Sequence, residues 1–383
     1  MALSKIQTGL FADGAIEKEF QYQIGGRRNI IHNGAGQIDQ RKRGTITGVT
    51  NALERHIDRW YTQLSSGATI STGGSYDVPA GYGFTRSINA TVTSAGSMSA
   101  GYIFIQQTVE GWDSAAIRNN TAGNSVSGVN AFTISFWVKS SVTGTYACSV
   151  QSSNYDISYN GTYTVDSANT WEYKTILVPA YTGGTWYTTN GSGINFRFCL
   201  GSSASGTPNT WVSGSHNGAT TAVDWANNSG ATFYLTGVQV EAGSVATPFE
   251  HRSFAEEMEI CKRYFQHAGH EETSPYGTQT VGWDAVSCGV SQNHGSVAYD
   301  CLVKFSPPMR TTPTITVKSS SGDNYVRLEA VTISNTEEAV NWTAQTNQAD
   351  GLWRRHQTSL GGNYASSTVP AFMKFFWIAE AEM

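Results

Sequence analysis

Residues 132–167 read "FTISFWVKSSVTGTYACSVQSSNYDISYNGTYTVDS". Phe132, Ile134, Phe136 and Val138 alternate with smaller or polar residues, and Tyr146, Cys148 and Val150 repeat the pattern one segment later. A period of two is the strand signature, because successive side chains point to opposite faces of a sheet. Asn160-Gly161 sits between two further alternating runs, and this dipeptide favours the type I′ turn of a tight hairpin. The spacing therefore predicts a β-hairpin centred on these two residues.

The same alternation extends in both directions. "AGYIFIQQTV" sets Ile103, Ile105 and Gln107 against Tyr102, Phe104 and Gln106, and "WEYKTILVP", "INFRFCLG" and "ATFYLTGVQVE" continue it. In the last of these, the positions from Phe233 to Val240 do not keep one regular register. Many antiparallel strands separated by turn residues predict an all-β fold, an antiparallel jelly-roll sandwich over residues 27–252.

Composition agrees. The 383 residues include 40 glycines, 12% aromatics and only 14% charged residues, a profile poor in helix formers. At 39% hydrophobic there is enough apolar surface for real cores.

The sandwich gives way to one helix. Ser253 and Glu256 form a capping box, and Phe254, Met258, Cys261 and Phe265 recur on one helical face. A short connecting helix is expected over 253–266. Strand patterns resume in "HGSVAYDCLVKF", "PTITVKS", "NYVRLEAVTI" and "AFMKFFWIAEAEM", which predict a smaller C-terminal β domain over 267–383. Residues 1–26 have weak periodicity and end in Gly25-Gly26, as expected of an N-terminal anchoring arm that gains order against a partner.

The net charge of −5 argues against a nucleic-acid partner. Arg27-Arg28 and Arg41-Lys42-Arg43 are read as loop or assembly contacts. No stretch has the length of a membrane helix, so no membrane insertion is expected. The five cysteines are scattered without a CxxC pair, which predicts buried free thiols and no zinc site. No P-loop, GxSxG elbow or HExxH motif occurs, and no cofactor or metal is expected.

Two groups of residues invite a functional reading. Trp186, Tyr187, Trp211 and Trp225 lie in Gly/Ser/Thr/Asn-rich loops, where rings could stack on sugars, plug the sandwich ends or contact a neighbouring subunit. Trp137 and Trp171, in strand patterns, are expected in the core. The second group surrounds the strand-to-helix break: Pro248, Glu250, His251, Arg252, Ser253 and Glu256. His251 has no nucleophile beside it, so this group is read as a structural joint, with Asp58 and Arg59 as partners from the opening strands. The carboxylates Glu110, Asp113, Asp166, Glu172 and Asp224 could supply a glycosidase pair, but Glu110, Asp113, Asp166 and Glu172 are read instead as turn-shaping residues.

The segments "NIIHNGAGQ", "YIFIQQTVEG", "TISFWVKSSVTGTY", "SANTWEYKTI", "FYLTGVQVEAGSVATPFEHRS" and "EEMEICKRYFQ" resemble, in order, a family of tailed-bacteriophage virion proteins that are mostly tail-fibre-like. The sandwich is also similar to carbohydrate-binding jelly rolls, which open with an N-x-x-x-N-G element. Where such modules hold a structural calcium, Gln37, Ile38, Thr236 and Gly237 offer no carboxylate. The resemblance implies a virion protein assembled in the host cytoplasm, a tail fibre or fibre-like appendage without enzymatic activity. It would be a homotrimer, joined to other virion proteins through its arm and contacting host cell-surface polysaccharide. A head-decoration or tail-adaptor protein and a capsule depolymerase are the alternatives.

Overall fold

A computed structural model of the chain describes residues 27–65, 67–98, 101–119, 123–268, 286–288, 290–293, 296–319, 322–323, 325–330, 333–339, 342–357 and 371–383. The expected arm over 1–26 and most of the polar loop after the helix lie outside the described residues. The chain forms two compact units. One comprises Met1–Ala35 (described from residue 27), Thr47–Glu54 and Tyr61–His251; the other gathers Gly36–Ile46, Arg55–Trp60 and Arg252–Met383. Two short segments inside the expected 27–252 block thus belong with the C-terminal unit.

The first unit is an antiparallel jelly-roll sandwich. Its six-stranded sheet runs β1 (Ile46–Val49), β4 (Thr69–Ser75), β5 (Ser87–Ser94), β17 (Thr232–Ala242), β8 (Phe132–Ser140) and β11 (Glu172–Val178). The seven-stranded sheet runs β15 (Trp211–Ser213), β10 (Ile157–Val165), β9 (Gly144–Ser152), β13 (Ser192–Ser202), β6 (Tyr102–Glu110), β3 (Trp60–Ser65) and β2 (Leu53–Ile57). Minor pairs join β7 (Ser125–Val126) to β12 (Trp186–Tyr187), and β14 (Ser205–Gly206) to β16 (Gly218–Ala219). The alternating residues meet between the sheets: Phe132 lies edge-on to Phe196 at 6.3 Å, and Phe136 to Phe198 at 5.0 Å. Such pairs add to the stabilisation from area burial alone.

Three local features explain how the sheets close. The register of β17 against β8 shifts between Thr236 and Gln239, where Gly237 takes φ +61°. A bulge there accounts for the irregular alternation seen in the sequence. The N-x-x-x-N-G element packs on β17: Asn29 Nδ2 donates to the Val238 carbonyl, and its Oδ1 accepts from the amides of Ile31 and Val240. Gly34 approaches so closely that a Cβ there would sit 2.1 Å from the Val238 carbonyl oxygen.

The predicted Asn160-Gly161 turn does not form. Both residues lie within the continuous strand β10, which pairs with β9 from Ser158 opposite Gln151 to Val165 opposite Gly144. Gly161 is required by inter-sheet packing, because a Cβ would meet Ile176 Cγ2 of β11 at 2.4 Å. Tertiary packing overrides the local turn preference.

In the second unit, helix α1 spans Phe254–Lys262 and is shorter than expected. Ser253 caps it, accepting from the Glu256 amide, while Met258 and Cys261 pack on Ile38. The chain then turns into β18 (Phe265–His267), which pairs with β28 (Ala371–Glu380). Phe265 therefore continues the apolar stripe as a strand residue, because ladder bonds to β28 replace another helical turn.

The sheet around β28 runs β23 (Gly322–Asp323), β22 (Thr314–Ser319), β28, β24 (Tyr325–Ala330) and β25 (Ile333–Ala339), and β19 (Val286–Cys288) also pairs with β28. A four-stranded sheet orders β20 (Val290–Asn293), β21 (Ser296–Lys304), β27 (Gly351–Gln357) and β26 (Trp342–Gln348). Cys148, Cys199 and Cys261 are buried free thiols, as the sequence predicts. Cys301 is disulfide-bonded, which corrects the expectation that all five are free.

Candidate functional site

Each sheet of the sandwich has an outer face as well as a core face, and the outer face of the seven-stranded sheet is unusual in composition. Opposite the core-facing Ile103, Ile105, Phe196, Phe198 and Val150, the strands β6, β13 and β9 place Phe104, Gln106, Thr108, Asn195, Arg197, Ser149 and Gln151. Most surface strands carry Lys, Glu or Thr in such positions. Here amides dominate, and they form a connected network. Gln106 Nε2 donates to Thr108 Oγ1 at 2.9 Å and Asn195 Oδ1 at 3.0 Å, while Thr108 donates to Asn195 Oδ1 at 2.7 Å. Arg197 Nε donates to Gln106 Oε1, and Nη1 to Asn217 Oδ1.

Rings flank this network. The Arg197 guanidinium lies 4.5 Å from the Phe104 ring centroid and 5.2 Å from that of Tyr155. Tyr102 stacks beside Phe104 at 5.2 Å, and its hydroxyl accepts from Gln63 Nε2 at 3.2 Å. One edge of the face is roofed. The His216 carbonyl takes bonds from Ser149 and Gln151, while Ala219 packs on Ala147 and Cys199. The open part runs past Tyr102, Gln63 and Tyr155, which is 39% exposed. The network amides are themselves buried and bonded to one another, so the groups a sugar can meet are the partly exposed Tyr102, Gln63 and Tyr155 at its margin, rings for its C–H faces and an amide for its hydroxyls.

The loop aromatics named from sequence are distributed differently. Trp186 and Trp225 are 0% exposed, and their indole N–H groups donate to the Gly183 and Thr232 carbonyls. Neither can be a sugar platform, since both plug the body of the sandwich. Trp211 is half-buried, stacked on Tyr181 at 5.0 Å and edge-on to Trp186 at 6.0 Å, with its N–H donating to the Pro179 carbonyl. Tyr187 is 38% exposed. The structure does not bring these four together with the outer-face network.

Trp137 and Trp171 reverse the opposite expectation, because both are half-buried on the outer face of the six-stranded sheet. Trp137 lies between Tyr82 at 4.3 Å and Tyr173 at 5.5 Å. The Trp171 N–H donates to Asp77, which also pairs with Lys139.

The residues read as a joint fall in separate units. In the first, Glu250 accepts from the Asn29 amide and Gln239 accepts from the Glu250 amide. The Pro248 carbonyl receives Arg28 and Gln239, and the exposed His251 packs on Phe84 and Phe249. In the second, Arg252 pairs with Glu257 at 3.3 Å. Asp58 accepts from Gln40 and Arg41, while Arg41 and Arg59 reach Glu382. Arg59 also lies 3.4 Å over the Tyr264 ring and Arg41 4.0 Å over that of Phe265.

Burial pushes the Asp58 carboxyl up to about 6 against the pull of Arg41, and burial with Arg41 and Arg43 nearby lowers His56 to about 3. These groups form a sealed ionic cluster. Glu172 shapes a turn, accepting from the amides of Asp166 and Ser167, and Lys174 pairs with both carboxylates. No group of three or more His, Cys, Asp or Glu side chains that could hold a metal ion occurs among the described residues.

The outer-face network escaped the sequence reading because its members lie on three strands far apart in the chain. Its only local trace is the repeated use of Gln, Asn, Ser and Arg at strand positions facing away from the core.

No family model matches this sequence, and no curated protein sequence matches it. Among solved structures, the chain is similar to the enzymatically active domain of tailspike protein 4 of bacteriophage CBA120, with 13% identity and a TM-score of 0.29 over 56% of this chain. The match spans 21% of that tailspike chain. It is also similar to a family 11 carbohydrate-binding module of a Clostridium thermocellum cellulase, with 15% identity and a TM-score of 0.26 over 53% of this chain and 98% of that one. A family 61 module in complex with β-1,4-galactotriose matches with 9% identity and a TM-score of 0.29, over 57% of this chain and 100% of the module. At these TM-scores none of the likenesses bears on what the chain does, and the jelly-roll assignment rests on its own strand order.

Proposed function

We propose that this chain is a non-enzymatic bacteriophage virion protein, a tail fibre or fibre-like appendage, whose sandwich contacts host-surface glycans through the outer face of the seven-stranded sheet. One observation carries the glycan reading. The partly exposed Tyr102 and Tyr155 stand beside a buried, preorganised network of Gln106, Asn195, Arg197 and Asn217 on a face that the core does not use. A rigid base of this kind holds the flanking side chains in place and reduces the ordering cost of binding a flexible, hydroxyl-rich ligand. The virion assignment rests on the ordered sequence motifs that resemble phage tail-fibre-like proteins. In that setting the chain is homotrimeric and docks to the particle through its N-terminal arm.

The test is adsorption of the purified full-length chain to host cells before and after mild periodate oxidation of surface polysaccharide, with immunogold labelling of intact virions. Adsorption lost on oxidation and label on the tail are the expected results. Undiminished adsorption removes the glycan reading, and label confined to the head removes the fibre reading.

A further inference from the structure

We infer that the outer face of the seven-stranded sheet selects an anionic glycan, taking a carboxylate or phosphate of the sugar on the Arg197 guanidinium. This rests on the glycan reading above and names the ligand class at that same face.

Arg197 is 9% exposed, and the bonded partners of its guanidinium are amides and rings. Phenols of Tyr155, Tyr61 and Tyr102 lie near it, and among the described residues no carboxylate lies within ion-pair distance. Two part-buried lysines of the sandwich differ: Lys139 pairs with Asp77, and Lys174 with Asp166 and Glu172. A desolvated cation without a counter-ion is costly, and cation–π and amide contacts offset that cost only in part.

Its geometry suits an incoming anion. Gln106 and Asn217 take bonds from Nε and Nη1, the Tyr155 hydroxyl is a further side-chain partner, and the remaining N–H groups of the fork face no carboxylate among the described residues. A guanidinium held in plane in this way presents the fork that matches carboxylate and phosphate. The chain carries a net charge of −5, so its overall field repels polyanions. A fixed local cation beside the Tyr102 and Tyr155 rings is what would let an acidic sugar bind there in spite of that field.

The experiment is affinity electrophoresis of the full-length chain through gels containing a panel of acidic and neutral bacterial-surface polysaccharides. Each acidic binder is rerun after carbodiimide reduction of its carboxyls or enzymatic removal of its phosphates. Retardation by acidic polymers that weakens at least ten-fold after neutralisation is the expected result. Arg197→Gln should lose the same factor, and Arg197→Lys, which keeps the charge without the fork, should fall between. Neutralisation alters only the ligand, so the comparison stands even where a variant folds poorly. Retardation by neutral polymers, or by acidic ones unchanged on neutralisation, overturns the acidic selection and leaves the glycan reading intact. No retardation by any polymer of the panel overturns the glycan reading, and this inference with it.

Discussion

His56 and Asp58 lie two positions apart in the second unit, both buried, and their ionisations pull stability in opposite directions. Burial holds His56 neutral down to about 3, so the folded state binds fewer protons than the unfolded chain between there and 6.5, and stability rises with pH. Asp58 keeps its proton up to about 6, whereas an unfolded aspartate loses it near 3.8, so across that window stability falls as pH rises. Between about pH 4 and 6 the two slopes nearly cancel. Denaturation at several pH values should show this pair contributing little slope in the native chain. His56→Gln should tilt stability downward with rising pH by roughly 1.4 kcal/mol per unit relative to the native chain, and Asp58→Asn should tilt it the other way. Parallel profiles for all three would sink the assignment.

Trp225 makes the same point about packing. It is fully buried with its indole N–H on the Thr232 carbonyl, so Trp225→Ala should cost about 3–5 kcal/mol in denaturant unfolding. A loss under about 1 kcal/mol would contradict its placement as a plug. The sequence could not separate Trp225 from Trp211, because both sit in polar loops and burial is decided by where those loops fold back.

Elements were legible where a pattern is local, and less so where a distant strand decides. The alternation of β8 and β9 and the Ser253 cap are local, and both appear as read. Asn160-Gly161 carries a strong turn preference, yet pairing with β9 and the approach of Ile176 make it strand. The last turn of the expected helix likewise yields to β28, a strand more than a hundred residues downstream. Gly34 shows the converse, a local motif whose purpose is distant. Gly34→Ala would press a methyl group into the Val238 carbonyl and break the closure between the opening segment and β17. A loss of roughly 2 kcal/mol or more is expected from thermal unfolding, the scale of an overpacked site. An unchanged midpoint would mean that the opening segment is not fixed on β17.

At the scale of the whole molecule, the all-β class and the sandwich followed the hydrophobic period. The grouping of Gly36–Ile46 and Arg55–Trp60 with the C-terminal unit did not, because periodicity reports which face a residue takes and not which body it joins. The outer-face network was illegible for a related reason, since Tyr102, Tyr155 and Arg197 become neighbours only once β6, β9 and β13 pair. A fibre-like role further predicts that the full-length chain has the solution mass of three 41.3 kDa subunits. A monodisperse monomer by light scattering would count against it.

The central claim is that the outer face of the seven-stranded sheet binds host glycan. The direct measurement is a titration of host-surface polysaccharide into the full-length chain and into variants at exposed or half-exposed tyrosines. Tyr102→Ala and Tyr155→Ala should each weaken binding about ten-fold with little change in unfolding midpoint, the scale of one lost stacking contact. Tyr187→Ala and Tyr82→Ala, whose rings lie outside that network, should bind as the native chain does. Native-like affinity for both Tyr102→Ala and Tyr155→Ala, with a loss at Tyr187 or Tyr82 instead, would contradict the account.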